Sequence, residues 1–240
     1  MSKRREQIQQ RHVQQRKQMT VAAAIIVVAA VILIGGAVIL NALSNAPHAI
    51  VAVNNPPPAN AERNGRAWGP ADAPIKVLAF VDAQCPGCGL YTTRFEPGII
   101  AAFAKTGKVR YEVRLMSFIG AESVDAARAA LCAMDQDKFW QMHAALFANQ
   151  WGAENSGNFT RANLQTMASQ LGMDTAAFNA CIDARKYDTL IQADATEASR
   201  LGVHQTPTFA VNGRLVDGVQ NVDDFRRVFA QVAPDVHFTQ

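Results

Sequence analysis

The stretch IKVLAFVDAQCPGC, residues 75–88, decides the fold of this chain. Its first seven residues form a mostly apolar run, which predicts a strand covered on both faces. Cys85 and Cys88 follow the strand, and the residue spacing from Leu90 to Lys105 predicts a helix. Val109–Leu115 is a second predicted strand. The order strand, helix, strand indicates a βαβ unit with parallel strands and a right-handed connection.

The Cys-x-x-Cys motif lies where the predicted helix begins. The unpaired amide groups at a helix start stabilise a thiolate, so Cys85 is the candidate nucleophile. Cys88, one turn further in, is close enough to attack a mixed disulfide formed at Cys85. Half of a zinc site and an inert structural disulfide are the alternatives. Zinc needs two more ligands, and Cys132 and Cys181 are isolated in the sequence, so a redox pair with no metal and no cofactor is the preferred interpretation.

The rest of the folded region predicts a strand-rich domain interrupted by helices. Residues of about 120–201 show no strand pattern and several helix-start signals. Strand character returns at Thr208–Val211, Asn212-Gly213 is a two-residue hairpin turn, and Arg214–Val216 is the returning strand. A last helix is expected from about Val222. These signals together predict an α/β fold with a helical insertion.

Thr206-Pro207 stands directly before the strand that follows the insertion. Proline is tolerated as the first residue of a strand. A cis bond here would turn the backbone of Thr206 outward, where it could pair with a substrate strand. An ordinary trans bond is the alternative, since only about 5 to 6% of X-Pro bonds are cis.

Charge is distributed unevenly along the chain. Six of its 23 Lys and Arg residues, but only one of its 20 acids, lie in the first 17 positions. The remainder is slightly acidic, which argues against a nucleic-acid surface on the folded part. Val21–Leu40 is an uncharged apolar run long enough to span a bilayer as a helix. The positive-inside rule then predicts a cytoplasmic N-terminus and an extracytoplasmic domain.

These observations divide the chain into a cytoplasmic basic tail at 1–20, a transmembrane helix at 21–40, a Pro-rich tether at 41–67 and a folded domain at 68–240. A signal peptide cleaved near Ser44-Asn45-Ala46 and a buried helix of a soluble protein are the alternatives to the membrane anchor. The length of the apolar run, its apolar circumference and its one-sided basic flank favour an anchor.

The chain resembles the DsbA-like branch of the thioredoxin superfamily, particularly its membrane-tethered bacterial members, over about residues 70–232. The motifs that carry the resemblance are Ala73-Pro74, Asp82 to Cys88, Leu131-Cys132-Ala133, Lys138-Phe139-Trp140, Phe178 to Cys181, Gly202 to Phe209 and Asn212-Gly213. The resemblance implies a thioredoxin-like fold in which Cys85 is the nucleophile and Cys88 the resolving thiol. It also implies that Pro207 is a cis-proline facing them across a substrate groove, with Thr206 presenting its backbone.

Two positions depart from the pattern of these relatives. Many carry a buried carboxylate six residues before the first active-site cysteine, where this chain has Ala79. Asp82 is nearer to the motif, but in relatives an acid at this position accompanies the buried one, so it is not assigned the same role. The pair between the cysteines, Pro86-Gly87, also lacks a histidine that would help to hold the thiolate.

The resemblance implies an enzyme, a protein disulfide oxidoreductase, and the expected direction is dithiol oxidation in reduced, unfolded exported proteins. Segment 41–66 is too short to fold as a dimerisation domain, so a monomer is expected. The electrons would pass to a quinone-linked membrane partner of the DsbB or vitamin K epoxide reductase type. A membrane-tethered reductase or isomerase is the enzymatic alternative, and a tethered copper-handling or peptide-binding module is the alternative of another class.

Cys132 and Cys181 lie in separate predicted helices of the insertion. In an oxidising compartment they are expected to form a structural disulfide, and two free buried thiols are the alternative. His143 falls at helical spacing among aromatic residues and is predicted to belong to the core. His204 is predicted to be a solvated loop residue rather than a neighbour of Cys85.

Overall fold

The computed structural model describes residues 19, 25–26, 28–36, 49–53, 56–63, 65–216 and 218–238. Contacts divide the chain into two units, residues 1–49 and 50–240. In the first unit, residues 28–36 are helical. Apart from residue 19, the predicted basic tail lies outside the described residues, as does part of the predicted spanning helix. Within the described part, no helix has the length and apolarity that a bilayer crossing requires.

The second unit is built on a five-stranded sheet. Its strands are β1 Ala67–Trp68, β2 Ile75–Asp82, β3 Val109–Met116, β4 Thr208–Val211 and β5 Arg214–Val216. They lie in the order β1-β3-β2-β4-β5. β2 and β3 are parallel, which confirms the predicted βαβ unit, whereas the other neighbouring strands are antiparallel. The two-residue edge strand β1 lies across the predicted boundary, with Ala67 in the segment assigned to the tether and Trp68 in the predicted folded domain.

Eight α-helices accompany the sheet in the described part of this unit. They are α1 Pro86–Leu90, α2 Glu96–Phe103, α3 Ala121–Met134, α4 Phe139–Ala148, α5 Arg161–Gln170, α6 Thr175–Asp183, α7 Asp188–Leu201 and α8 Val222–Val232. Helices α3 to α7 follow β3 and precede β4, so the predicted helical insertion is confirmed. Their inward faces are rich in alanine and aromatic residues and form one large core cluster with the sheet. A second, smaller cluster joins Ala198 of α7 to Phe80, Met116 and Ala210 of the sheet.

The region predicted as a single helix from Leu90 to Lys105 is divided into segments. A π-helical turn at Tyr91–Phe95 separates α1 from α2, and a 3-10 turn at Ala104–Thr106 follows α2. Pro97, in the first turn of α2, has no amide hydrogen and its ring clashes with the carbonyl one turn earlier. The wider π-turn accommodates this break.

Local end signals explain where several elements begin and end. Thr160, Asp174 and Asn221 each accept hydrogen bonds from the first amide groups of the following helix. Asn212 and Gly213 both have positive φ, 49° and 80°, as a tight two-residue hairpin turn requires. The predicted helix starts and hairpin turn are therefore confirmed.

Part of the segment predicted as a tether lies on the folded unit. The backbone of Val51 donates to and accepts from the side chain of Asn149, and Asn60 donates to the carbonyl of Ala104. Pro58 is buried. These contacts join the segment to residues 44 to 98 positions away, so its own composition does not reveal them.

Candidate active site

The active-site turn leaves the end of β2 and enters α1. Cys85 is the residue before α1, with extended backbone, and Pro86 occupies the first turn of the helix. The carbonyl of Cys85 accepts the first helical hydrogen bond, from Gly89 at 3.0 Å. Cys85 is partly exposed, whereas Cys88 is fully buried. One thiol therefore faces solvent while the other lies in the core, as the predicted exchange chemistry requires.

The surroundings of Cys85 stabilise its thiolate. A hydrogen bond with the Cys88 side chain is the main cause that lowers the pKa of Cys85 to about 5. Contacts with Thr206 and with the backbone amides of Gly87 and Cys88 lower this pKa further, although burial opposes them. The amide contribution is that of the helix start. Cys85 is thus ionised at neutral pH when the pair is reduced.

The loop before β4 lies directly against this turn. The Thr206-Pro207 bond is cis, and the carbonyl oxygen of Thr206 accepts a hydrogen bond from the Cys85 thiol at 3.2 Å. A Cβ atom on Gly87 would lie 3.3 Å from Cδ of Pro207 and 3.7 Å from Sγ of Cys85. The structure therefore brings together Cys85, Cys88, Thr206 and Pro207.

Cys88 has an environment that opposes ionisation. Burial is the main cause that raises its pKa, and the hydrogen bond to Cys85 adds to it. The backbone amide of Asp82 donates to Sγ of Cys88 at 3.4 Å. Ala79 is fully buried in the core, so the position where the family resemblance led us to expect an acid carries only a methyl group here.

The carboxyl group of Asp82 is also buried, and burial raises its pKa despite several hydrogen bonds. Its Oδ1 atom accepts from Ser123 at 2.6 Å and from the amide of Gln84 at 2.9 Å. The Gln84 side chain in turn bonds to Ser123 and Asn155. Asp82 thus joins the active-site loop to the start of α3.

Gln150, just after α4, also supports the active-site turn. Its amide group donates to the carbonyls of Ala83 and Cys85. Gly89 makes room for it, because a Cβ atom there would lie 2.0 Å from Oε1 of Gln150. Sequence analysis did not identify Gln150, Ser123 or Gln84. No local pattern marks them, since their partners lie 39 to 71 residues away.

In the part of the chain that the structure describes, Cys132, Cys181, His143 and His204 form no hydrogen bond with Cys85 or Cys88. A disulfide joins Cys132 in α3 to Cys181 in α6, with a Cα–Cα distance of 5.8 Å. His204 is exposed. His143 is buried among aromatic rings and bonds to Glu96, a partner that the sequence did not predict. Among the described residues, no three His, Cys, Asp or Glu side chains are grouped as a metal site would require.

Comparison with known proteins agrees with this geometry. The family model described as "Thioredoxin" matches residues 61–230. Disulfide bond formation protein D of Bacillus subtilis is 25% identical over 162 residues, which are 66% of this chain and 72% of that protein. The crystal structure of oxidised BdbD from Bacillus subtilis has a TM-score of 0.64 at 23% identity, covering 73% of this chain and 96% of that one. This last likeness shows that the fold is thioredoxin-like.

A second group of relatives is much longer than this chain. Na(+)/H(+) antiporter NhaA 1 of Salinispora arenicola is 32% identical over 157 residues, which are 65% of this chain. The chain spans only 22% of the length of that antiporter. The family match, the similarity to a disulfide bond formation protein and the Cys-Pro-Gly-Cys turn lead to one assignment: the chain belongs to the thioredoxin family, as a DsbA-like disulfide oxidoreductase.

Proposed function

We propose that this protein is a dithiol oxidase that forms disulfides in exported proteins through Cys85 and Cys88. The observation that carries the direction is the pKa of Cys85, which is lowered to about 5 while Cys88 stays buried. A stable thiolate favours the reduced form of the pair, so the oxidised pair gives up its disulfide readily. The low pKa of Cys85 supports the oxidase direction even though Ala79 stands where a buried acid was expected and Pro86-Gly87 contains no histidine.

In this proposal a substrate thiolate attacks Cys85 of the oxidised pair. The disulfide between Cys85 and Cys88 breaks, and a mixed disulfide forms between the substrate and Cys85. Cys88 leaves as a thiolate and takes up a proton. The second substrate thiolate then attacks the mixed disulfide, which forms the substrate disulfide and releases the Cys85 thiolate.

Thr206 and Pro207 are the proposed contacts for the substrate backbone. The carbonyl of Thr206 faces Cys85, and an extended peptide could pair with this backbone by strand addition. Reduced, unfolded exported proteins are the substrate class that fits main-chain recognition, and the similarity to disulfide bond formation protein D of Bacillus subtilis agrees with it.

We also infer that residues 21–40 anchor the protein in the cell membrane, with 1–20 in the cytoplasm, 41–67 as tether and 68–240 outside. A bilayer tether would keep the domain near a quinone-linked redox partner of the DsbB or vitamin K epoxide reductase type. That partner would take two electrons and restore the disulfide. A monomer is sufficient for this cycle, because the single exposed thiol of Cys85 reacts first with the substrate and then with the redox partner.

The test mixes the oxidised protein with a reduced, unfolded dithiol substrate and follows which partner gains the disulfide. Transfer to the substrate is expected, and Cys85→Ser should abolish it because the variant cannot form the disulfide that is exchanged. Cys88→Ser should trap mixed disulfides at Cys85. If the oxidised protein and the reduced substrate persist together, the reductase alternative replaces the oxidase. Stoichiometric copper binding by the reduced pair would favour the binding module.

A further inference from the structure

A chain of hydrogen-bonded polar side chains runs through the core beneath the active-site turn. The hydroxyl groups of Tyr91 and Tyr111 are 2.9 Å apart, and that of Tyr111 donates to Oε1 of Glu96 at 3.1 Å. Oε2 of Glu96 is 2.9 Å from Nε2 of His143. Each of these four residues is at most 3% exposed. Burying the carboxyl group of Glu96 in the core costs free energy, so its presence there calls for a physical reason.

One end of this chain lies one helical turn after the buried thiol, although no hydrogen bond joins the Tyr91 hydroxyl to Sγ of Cys88. Tyr91 follows Cys88 by three residues, which places both on one face of the active-site helix. The ring of Tyr91 packs against Phe209, with centroids 4.8 Å apart, and Phe209 is the strand partner of Ala79. The tyrosine therefore occupies the core layer in which Ala79 carries no acid.

The other end of the chain reaches a cavity of about 490 Å³. Its walls include Pro57, Glu96, Ile100 and His143. Nδ1 of His143 has no hydrogen-bond partner among the described residues. Nε2 of His143 is hydrogen-bonded to Glu96 and both residues line the cavity, so a proton shared by this pair lies next to the cavity.

We propose that Tyr91, Tyr111, Glu96 and His143 form a proton relay between the thiol of Cys88 and this cavity. Every member can both accept and donate a hydrogen bond, which proton transfer along a chain requires. The inference rests on the proposed role of Cys88 as the resolving thiol. When the disulfide opens, the leaving Cys88 thiolate receives one proton through the relay. When Cys88 attacks a mixed disulfide at Cys85, its proton leaves by the same route as the new disulfide forms.

Other ionisable groups near this path fit the role less well. The carboxyl group of Asp82 already accepts from Ser123 and from backbone amides, and only its own backbone amide faces Cys88. Lys105 lines the cavity, at the end of the path remote from the thiol. Burial is the main cause that raises the pKa of Tyr91, and the charges of Glu96 and Cys88 both add to it. The charges of Cys88 and Glu96 thus both act on Tyr91.

The experiment separates the two thiols within one reaction. The reduced, full-length protein is mixed with an aromatic disulfide that releases one coloured thiol when Cys85 attacks and a second when Cys88 resolves. Glu96→Gln and Tyr111→Phe should slow the second release about 10²-fold at neutral pH, the size typical of a lost acid or base group. The first release should not change, and the second should become steeper with rising pH because hydroxide replaces the relay.

Matched controls exclude a merely structural effect. Tyr187→Phe removes a hydroxyl that also bonds a carboxylate, Asp135, but at the surface. It should leave both releases unchanged. Tyr111→Phe keeps the ring that stacks on Trp68 at 5.2 Å, so it tests the relay even if Glu96→Gln fails to fold. In His143→Ala, added imidazole should restore the second release, whereas pyrazole, of similar size but far weaker as a base, should not.

An unchanged second release in folded Tyr111→Phe, or equal restoration by imidazole and pyrazole, would overturn the relay. Failure of the proposed function has a different signature. In that case Cys88→Ser would not change the release of the second coloured thiol, because Cys88 would not be the group that releases it. The relay variants would then also have no effect on that release.

Discussion

At the scale of the residue, the two active-site thiols differ because of what surrounds each sulfur. Cys85 receives hydrogen bonds at the start of α1, whereas Cys88 is enclosed by the core. The motif alone predicts this asymmetry, because any Cys-x-x-Cys at a helix start exposes its first thiol. The relay and the Gln150 contact could not be predicted, since Glu96 and His143, or Cys85 and Gln150, are 47 and 65 residues apart.

Alkylation of the reduced protein should show this asymmetry directly. Because the pKa of Cys85 is lowered from 9.0 to about 5, its modification rate should rise with a midpoint near pH 5, and Cys88 should stay unmodified in the folded protein. A lowered pKa in the folded state also means that the thiolate stabilises the folded reduced form. This contribution is complete above pH 9.0, decreases below it and is lost as the pH falls through about 5. Mass spectrometry locates the modified cysteine. A midpoint near pH 9 would contradict the thiolate assignment.

Two glycines of the active-site region should respond oppositely to alanine. Gly98→Ala in α2 meets only an ordinary contact, Cγ2 of Val222 at 3.7 Å, and should stabilise the protein by up to about 1 kcal/mol through helix propensity.

Gly89→Ala would displace Gln150, which then leaves the carbonyls of Ala83 and Cys85. We expect it to change the reduction potential of the pair. Urea unfolding and equilibration with glutathione measure the two effects, and an unchanged potential in Gly89→Ala would deny Gln150 a supporting role.

At the scale of the element, the helical insertion is tied together by the disulfide between α3 and α6. The two cysteines are 49 residues apart, so the bond constrains a long loop of the unfolded chain. Replacing both by alanine should lower the free energy of unfolding by roughly 2 to 4 kcal/mol. Urea unfolding should show this loss while alkylation of Cys85 stays the same. With the Cys85–Cys88 pair already reduced in both proteins, a reductant strong enough to open the bond between Cys132 and Cys181 should weaken the wild type but not the double variant. Equal stability of both proteins would show that the bond contributes nothing.

Elements with local signals were predictable from the sequence, and those set by distant contacts were not. The apolar run of β2 and the Asn212-Gly213 turn depend on adjacent residues, and both are as predicted. The π-turn at Tyr91–Phe95 and the edge strand β1 were missed. β1 exists because Ala67 and Trp68 pair with β3 more than 40 residues later, which no periodicity in two residues can indicate.

At the scale of the whole molecule, a network of charges joins the start of the folded unit to its insertion. Arg66, next to β1, binds Asp194 of α7 through two nitrogen atoms and also contacts Glu112 of β3. Arg66 and Asp194 are 6% and 2% exposed, and burial raises the pKa of Asp194 despite its partners. Removing one partner of such a buried pair is costly, because the other charge stays in the core. The network therefore holds the sheet and the insertion in one arrangement.

The membrane anchor is the last prediction, and it depends on the distribution of charge along the whole chain. A bilayer crossing by Val21–Leu40 is favourable because the run is apolar, and the six basic residues before it oppose transfer of the N-terminus across the membrane. The protein should therefore sediment with membranes, and protease added to intact spheroplasts should digest the domain that carries Cys85. Replacing the six basic residues by glutamine should weaken this orientation and leave part of the protein protected. Full protection of the wild type, or a mature N-terminus near Pro47, would contradict the anchor, because a cleaved signal peptide releases the domain from the bilayer.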